Sequence, residues 1–283
     1  MQKYIGHCGK SMIENTSFYF ANYFDWIIMK DVIIKKTDTP RHIYIKLDFL
    51  QKYINEISTI KNDFILITGC SDYSPQIHFF NEYNYLINLP NLKNWYAENN
   101  ISQHPKMSSL TVGFATHTKE YEDNLLMISR SVNIENKINK VFCCWRSRYT
   151  NVCGPSYVER GAMTDFIDSY PDIFDKVGNG ELSIIDFQKK MSLYKWSLCP
   201  LGNGLDCAPK ILECFFLKTI PIVRKNINVI NLYANYPIIW VDAFTDILHM
   251  NLPYDNHIDW TSIIESFTCK NWFKKIDNFI ILQ

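Results

Sequence analysis

Short apolar runs alternate with amphipathic stretches along almost the whole chain, and this alternation constrains the fold more than any other feature. YIGHC (4–8), HIYIKL (42–47), FILITG (64–69), YLINL (85–89), TVGFAT (111–116), KVFCCW (140–145), KWSLCP (195–200), IPIV (220–223) and PIIWV (237–241) have the length and the β-branched or aromatic content of strands. Helical spacing marks the stretches 15–30, 46–60, 119–132, 156–170, 186–194, 208–218 and 260–273. Strands that alternate with helices predict α/β architecture with parallel sheets. A chain of 283 residues, 47% of them hydrophobic, can bury the cores of two such domains. The polar, Asn-rich segment SVNIENKINK (131–140) precedes the strong strand KVFCCW and marks a hinge. The expected organisation is a first domain over 1–135, a second over 136–260, and a C-terminal helix over 261–283 that packs back on the first.

Composition excludes several functions. Lys and Arg number 29, as do Asp and Glu, so no global field attracts nucleic acid or an anionic membrane, and any anion site must be local. Nine cysteines, an odd number without a CxxC pair, predict reduced thiols in a cytoplasmic setting. The first residues, MQKYIGHCGKSMIENTSF, lack the apolar core of a signal peptide. No run approaches the roughly 18 apolar residues of a membrane span. The expectation is a soluble protein, with oligomeric state left open. His78, His104, His117, His249 and His257 are dispersed without metal-ligand spacing, and the chain has no D-x-D triplet. No metal site is expected. YIGHCGKS resembles a phosphate loop only superficially, because Tyr4 stands where the first glycine is needed.

The segment CPLGNGLDCAPKILECFFLKTIPIV (199–223) carries the densest chemistry. A strand runs into a turn cluster with Pro200, Gly202, Asn203, Gly204 and Asp206, and a helix follows at once. Asp206 or Cys207 can cap that helix, and Pro209 is tolerated in its first turn. A strand, a glycine loop and a helix start offer backbone N–H groups to an anion. Helical spacing places Asp206, Lys210, Glu213 and Leu217 on one face. Glu213 lies among Ile211, Leu212, Cys214, Phe215 and Phe216, and a buried carboxylate needs a compensating role. Accepting hydrogen bonds from a ribose beside a bound diphosphate is such a role. An ordinary capped βα turn is the plain alternative.

WSLCPLGNGLDCAPKILECFFLKTIPIV resembles the nucleotide-sugar signature of the exostosin-like glycosyltransferases, through Cys199, Pro200, Gly202, Asn203, Gly204, Asp206, Glu213, Ile220, Pro221 and Val223. Ala208 and Pro209 stand where that family commonly has His and Arg, and Lys218-Thr219 replaces a small glycine pair. The strong similarity covers the 28 residues of that segment, a weaker one 140–223, and the first half matches only at scattered points. The resemblance implies a GT-B fold: two Rossmann-like domains facing a central cleft, the acceptor in the first and the donor in the second. It also implies metal-independent, inverting transfer from a UDP-sugar to a hydroxyl of a glycan or glycoconjugate. The UDP-sugar is a substrate, so no cofactor is implied. Family donors include UDP-xylose, UDP-galactose, UDP-glucuronic acid and UDP-N-acetylglucosamine. Short stand-alone members occur in large DNA viruses, some of them xylosyltransferases.

Under this reading Pro200, Gly202, Asn203, Gly204, Asp206, Lys210 and Glu213 bind the donor. Arg146, just past KVFCCW, and Arg160, in the following helix, meet the diphosphate. Asp72, three residues beyond Gly69 at a strand end, is the first candidate for the base, at a position that is recurrently acidic in the family. An Asx-turn before Pro75 is its plain alternative. His7 is the second candidate. Trp95 and Tyr96 are candidate sugar-stacking rings, or else core. Two rival readings remain: a catalytically inactive glycan-binding protein on the same scaffold, and another nucleotide-sugar-binding α/β enzyme. The second would want a G-x-G-x-x-G turn, which is missing.

Overall fold

The computed structural model describes residues 23–29, 32–114, 119–145, 156–177 and 182–281. The architecture is α/β, and the chain divides into two compact units. The first comprises Met1–His117, Gly204–Asp206 and Ser266–Gln283; the second comprises Thr118–Asn203 and Cys207–Glu265.

In the first unit the strands are β1 (Trp26–Met29), β2 (Val32–Lys35), β3 (His42–Lys46), β4 (Phe64–Gly69), β5 (Leu92–Ala97) and β6 (Met107–Ser109). They form one sheet in the order β2-β1-β3-β4-β5-β6. β2 is antiparallel to β1 at the edge, and the other neighbours are parallel. Every residue of β4 is buried, as expected of a central strand covered on both faces. On one face Trp26, Ile28, Ile43, Ile45, Phe64 and Leu66 pack with Leu50, Tyr53 and Ile57 of the helix Leu50–Ser58. At the other face Tyr96 Oη donates to the Lys275 carbonyl in the helix Cys269–Ile281 at 3.3 Å, and Phe24 lies between Tyr44 and Phe273.

The second unit carries β7 (Ile138–Cys143), β8 (Phe174–Lys176), β9 (Tyr194–Leu198), β10 (Ile220–Arg224) and β11 (Ile239–Val241). These are all parallel, in the order β11-β10-β9-β7-β8. The chain steps from β7 to β8 in one direction and from β9 to β10 and β11 in the other. Adjacent strands β7 and β9 therefore form a topological switch point, and right-handed crossovers send the helices that follow them to opposite faces. In the first sheet the chain also reverses direction between β1 and β3, but there the step from β1 to β2 is an antiparallel pairing and not a parallel crossover.

Several local expectations need correction. The run 85–89 is not a strand: Phe80–Ile87 is a helix, because Phe79, Tyr83, Leu86 and Ile87 share one helical face against the core while Tyr85 is exposed. The helix expected over 15–30 is replaced at Trp26–Met29 by a strand paired with β2 and β3, and 15–22 lie outside the described residues. Thr111–Gly113 have no regular structure. The expected helix over 260–273 is two helices, Trp260–Ser266 and Cys269–Ile281. The strand expected at 4–8 lies outside the described residues.

Candidate functional site

The second unit concentrates polar groups at the carboxyl ends of β7 and β9, where ligands bind in open α/β sheets. Lys210 starts the helix Lys210–Phe216 that follows β9. Its Nζ donates to the Leu198 carbonyl at 2.7 Å and the Cys144 carbonyl at 3.0 Å, joining the ends of the two switch-point strands. The ammonium also lies 5.5 Å from the Phe142 ring centre, 5.7 Å from Phe187 and 5.9 Å from Trp145. Arg160, on the helix Ser156–Asp168 after β7, donates from Nε to the Leu201 carbonyl at 2.9 Å in the loop after β9. Two cations thus brace this switch point. Pro200 is buried, Gly202 is half-buried and Asn203 is exposed.

Glu213 lies one turn into the helix and is only 5% exposed. Its Oε1 accepts from Tyr121 Oη at 2.5 Å and from Gln188 Nε2 at 3.2 Å. Among the described residues no donor sits on Oε2. Burial raises the Glu213 carboxyl above its ordinary range, against the opposing pull of the Tyr121 and Gln188 hydrogen bonds and the Lys210 charge. Burial and the neighbouring Glu213 together push the Tyr121 hydroxyl well above its usual value.

The helix begins later than the sequence suggests. Pro209 is its N-cap, without a side-chain cap, and neither Asp206 nor Cys207 serves. Asp206 lies four residues before the helix and so does not share the face of Lys210 and Glu213. Its Oδ2 instead accepts from Thr111 Oγ1 at 3.1 Å and Val112 N at 3.0 Å, both in the first unit.

The first unit gathers its own polar cluster at the carboxyl ends of β4 and β5. Asp72 is exposed in the loop after β4. Glu98, Asn99 and Asn100, directly after β5, are almost fully buried. Cys70 and Asn99 both have positive φ, 56° and 53°, a conformation that favours glycine and is tolerated by asparagine. A Cβ on Gly69 would meet Glu98 Oε1 at 2.6 Å, so the glycine at the end of β4 makes room for a carboxylate. Asn99 Oδ1 accepts from Leu205 N at 2.7 Å, and Gly204 packs against the same amide. Gly204, Asp206 and the Asp72 loop are therefore brought together within this unit. Trp95 and Tyr96, 0% and 2% exposed, are core and not stacking platforms. Sequence reasoning missed Glu98–Asn100 and Tyr121. The available signal for the first was a polar ENN triplet directly after the aromatic run LKNWYA.

His7 and Arg146 lie outside the described residues. Among the described residues no group of three or more His, Cys, Asp or Glu is placed to hold a metal ion, and no helix is long and apolar enough to cross a membrane. Among the described residues seven of the nine cysteines are found, all as buried thiols; Cys199 and Cys214 have sulfurs 3.7 Å apart, beyond a disulfide bond. A scan against protein-family models finds no match, and no curated protein matches the chain in sequence.

Proposed function

We propose that the protein is an inverting glycosyltransferase of the GT-B kind, which moves a sugar from a UDP-sugar to a hydroxyl of a glycan or glycoconjugate. The observation that carries this reading is the origin of the glycine loop. It leaves β9 at the switch point of the parallel sheet and leads into a helix bearing a buried carboxylate. A switch point is where an α/β sheet takes a nucleotide. Glu213 is held through one oxygen by Tyr121 and Gln188, and in this reading its other oxygen takes a ribose hydroxyl. The diphosphate lies along the loop Pro200–Asn203, with Arg160 and Arg146 supplying positive charge.

The reaction needs a base on the acceptor side. Asp72, exposed at the end of β4, takes the proton of the acceptor hydroxyl. The hydroxyl oxygen then bonds to the anomeric carbon as the bond from that carbon to UDP breaks, through a state with oxocarbenium character like that of glycoside hydrolysis. The cations brace the negative charge left on UDP. UDP-xylose is the first donor to try.

Calorimetric titration with UDP tests the reading. Wild type should bind, and Glu213→Ala, if folded, should weaken UDP by about 1–3 kcal/mol, the cost of losing hydrogen bonds to a charged group. Unchanged affinity in a folded variant would remove Glu213 from the ribose role.

A further inference from the structure

Asn99 is 0% exposed and holds a left-handed backbone, φ 53°, directly after β5. Both ends of its amide are engaged. Oδ1 accepts from Leu205 N at 2.7 Å, inside the glycine loop. Nδ2 donates to the Ser71 carbonyl at 2.9 Å and the Tyr73 carbonyl at 3.3 Å, which flank Asp72. Gly204 completes the fit: a Cβ there would lie 2.5 Å from Asn99 Oδ1 and 2.9 Å from Nδ2. The second glycine of the GNG sequence is thus required by the asparagine behind it. Asp206 secures the far end of the same segment through Thr111 and Val112. A buried amide on a strained backbone costs folding energy, and such features concentrate where a loop must be held in one geometry. An apolar side chain would fill the space without that cost but would hold neither loop.

We infer that Asn99 is a positioning residue: its amide fixes Gly204–Leu205, the end of the glycine loop, and, through the opposite atom, fixes the loop that presents Asp72. This rests on the reading of the protein as a UDP-sugar transferase. Asn99 acts through Leu205, Ser71 and Tyr73 and needs no contact with substrate. No apolar or charged residue reproduces both halves of the amide, one acceptor and one two-proton donor.

The test uses the intact protein and UDP as probe, with calorimetry for affinity and urea unfolding for stability. Asn99→Gly keeps the left-handed backbone, which glycine adopts freely, and deletes the amide. It should fold and bind UDP about tenfold more weakly or worse, the scale of one lost charge-free hydrogen-bond tether. Gly204→Ala approaches the same contact from the other side and should weaken UDP comparably. Asn100→Ala is the matched control. Asn100 is also buried and bonded to Gln76, Ser102 and Ser109, with no bond to the glycine loop. It should lower the unfolding midpoint yet leave the UDP dissociation constant within about threefold of wild type. Equal weakening in Asn100→Ala would make the effect of Asn99 merely structural and overturn the inference. Unchanged affinity in folded Asn99→Gly or Gly204→Ala would overturn it while leaving the transferase reading intact. Failure of wild type to bind UDP would bring down the transferase reading and this inference with it.

Discussion

Lys137 should be among the most sensitive positions for stability, although it is not itself a candidate site residue. It precedes β7, is 6% exposed, and points its Nζ into four oxygens. These are the carbonyls of Ser192 at 2.6 Å, Tyr194 at 2.9 Å and Leu217 at 3.0 Å, and Thr219 Oγ1 at 3.1 Å. Ser192 and Leu217 are the C-caps of the helices Ile184–Met191 and Lys210–Phe216, so one cation serves two helix C-termini. Burial pulls the lysine down to about 7, and the three carbonyls oppose that pull, because only the ammonium supplies three donors. Lys137→Met removes all of these donors. The Thr219 hydroxyl has one proton and already lies within reach of Met191, Tyr194 and Leu217 carbonyls, so it can rescue only one. Two buried carbonyls are left without a donor, at ~1–3 kcal/mol each. The expected loss is about 2–6 kcal/mol, the sum over those two carbonyls. That is a large share of the ~5–15 kcal/mol by which domains are stable. Denaturant unfolding followed by tryptophan fluorescence reads it, since Trp196 lies buried in the neighbouring β9. A loss below about 1 kcal/mol would refute the cage argument, because even a single unsatisfied carbonyl exceeds that.

Two further perturbations follow from the site. Burial raises the Glu213 carboxyl, so the folded state holds its proton more tightly than the unfolded state. Wild-type stability should therefore fall as pH rises through the ordinary carboxylate range toward the raised value; Glu213→Gln should flatten that slope, and an identical pH profile for both proteins would contradict it. Asp72→Asn should cut turnover of a UDP-sugar by roughly two to four orders of magnitude, the range for losing a general base, while UDP affinity stays near wild type. Substantial turnover would return Asp72 to a turn-forming role and make His7 the next residue to test.

Much of this was legible in the sequence where the physics is local. FILITG and IPIV read as buried strands because each is a short, nearly continuous apolar run rich in isoleucine, and both are. Glu213 stood out as a carboxylate in an apolar helix and is nearly buried. What stayed hidden depends on distant partners. WIIM is too short to separate from a helical pattern until VIIK and HIY are seen to pair with it. YLINL satisfies both a period of two and a helical face, and only the core contacts of Leu86 and Ile87 decide. Asp206 looked like a helix cap, yet its partners Thr111 and Val112 lie more than ninety residues upstream, at separations of 95 and 94. Tyr121 and Gln188 are polar residues on otherwise ordinary amphipathic helices, and nothing local marks them as partners of Glu213. The strand LKNWYA was overlooked, and with it the buried Glu98–Asn99–Asn100 that follows.

The most direct test of the transferase reading is a crystal of the wild-type protein soaked with UDP. The account predicts the diphosphate at the carboxyl ends of β7 and β9, along Pro200–Asn203, with a ribose hydroxyl on Glu213 Oε2. A nucleotide bound anywhere else, or none at saturating concentration, would contradict it.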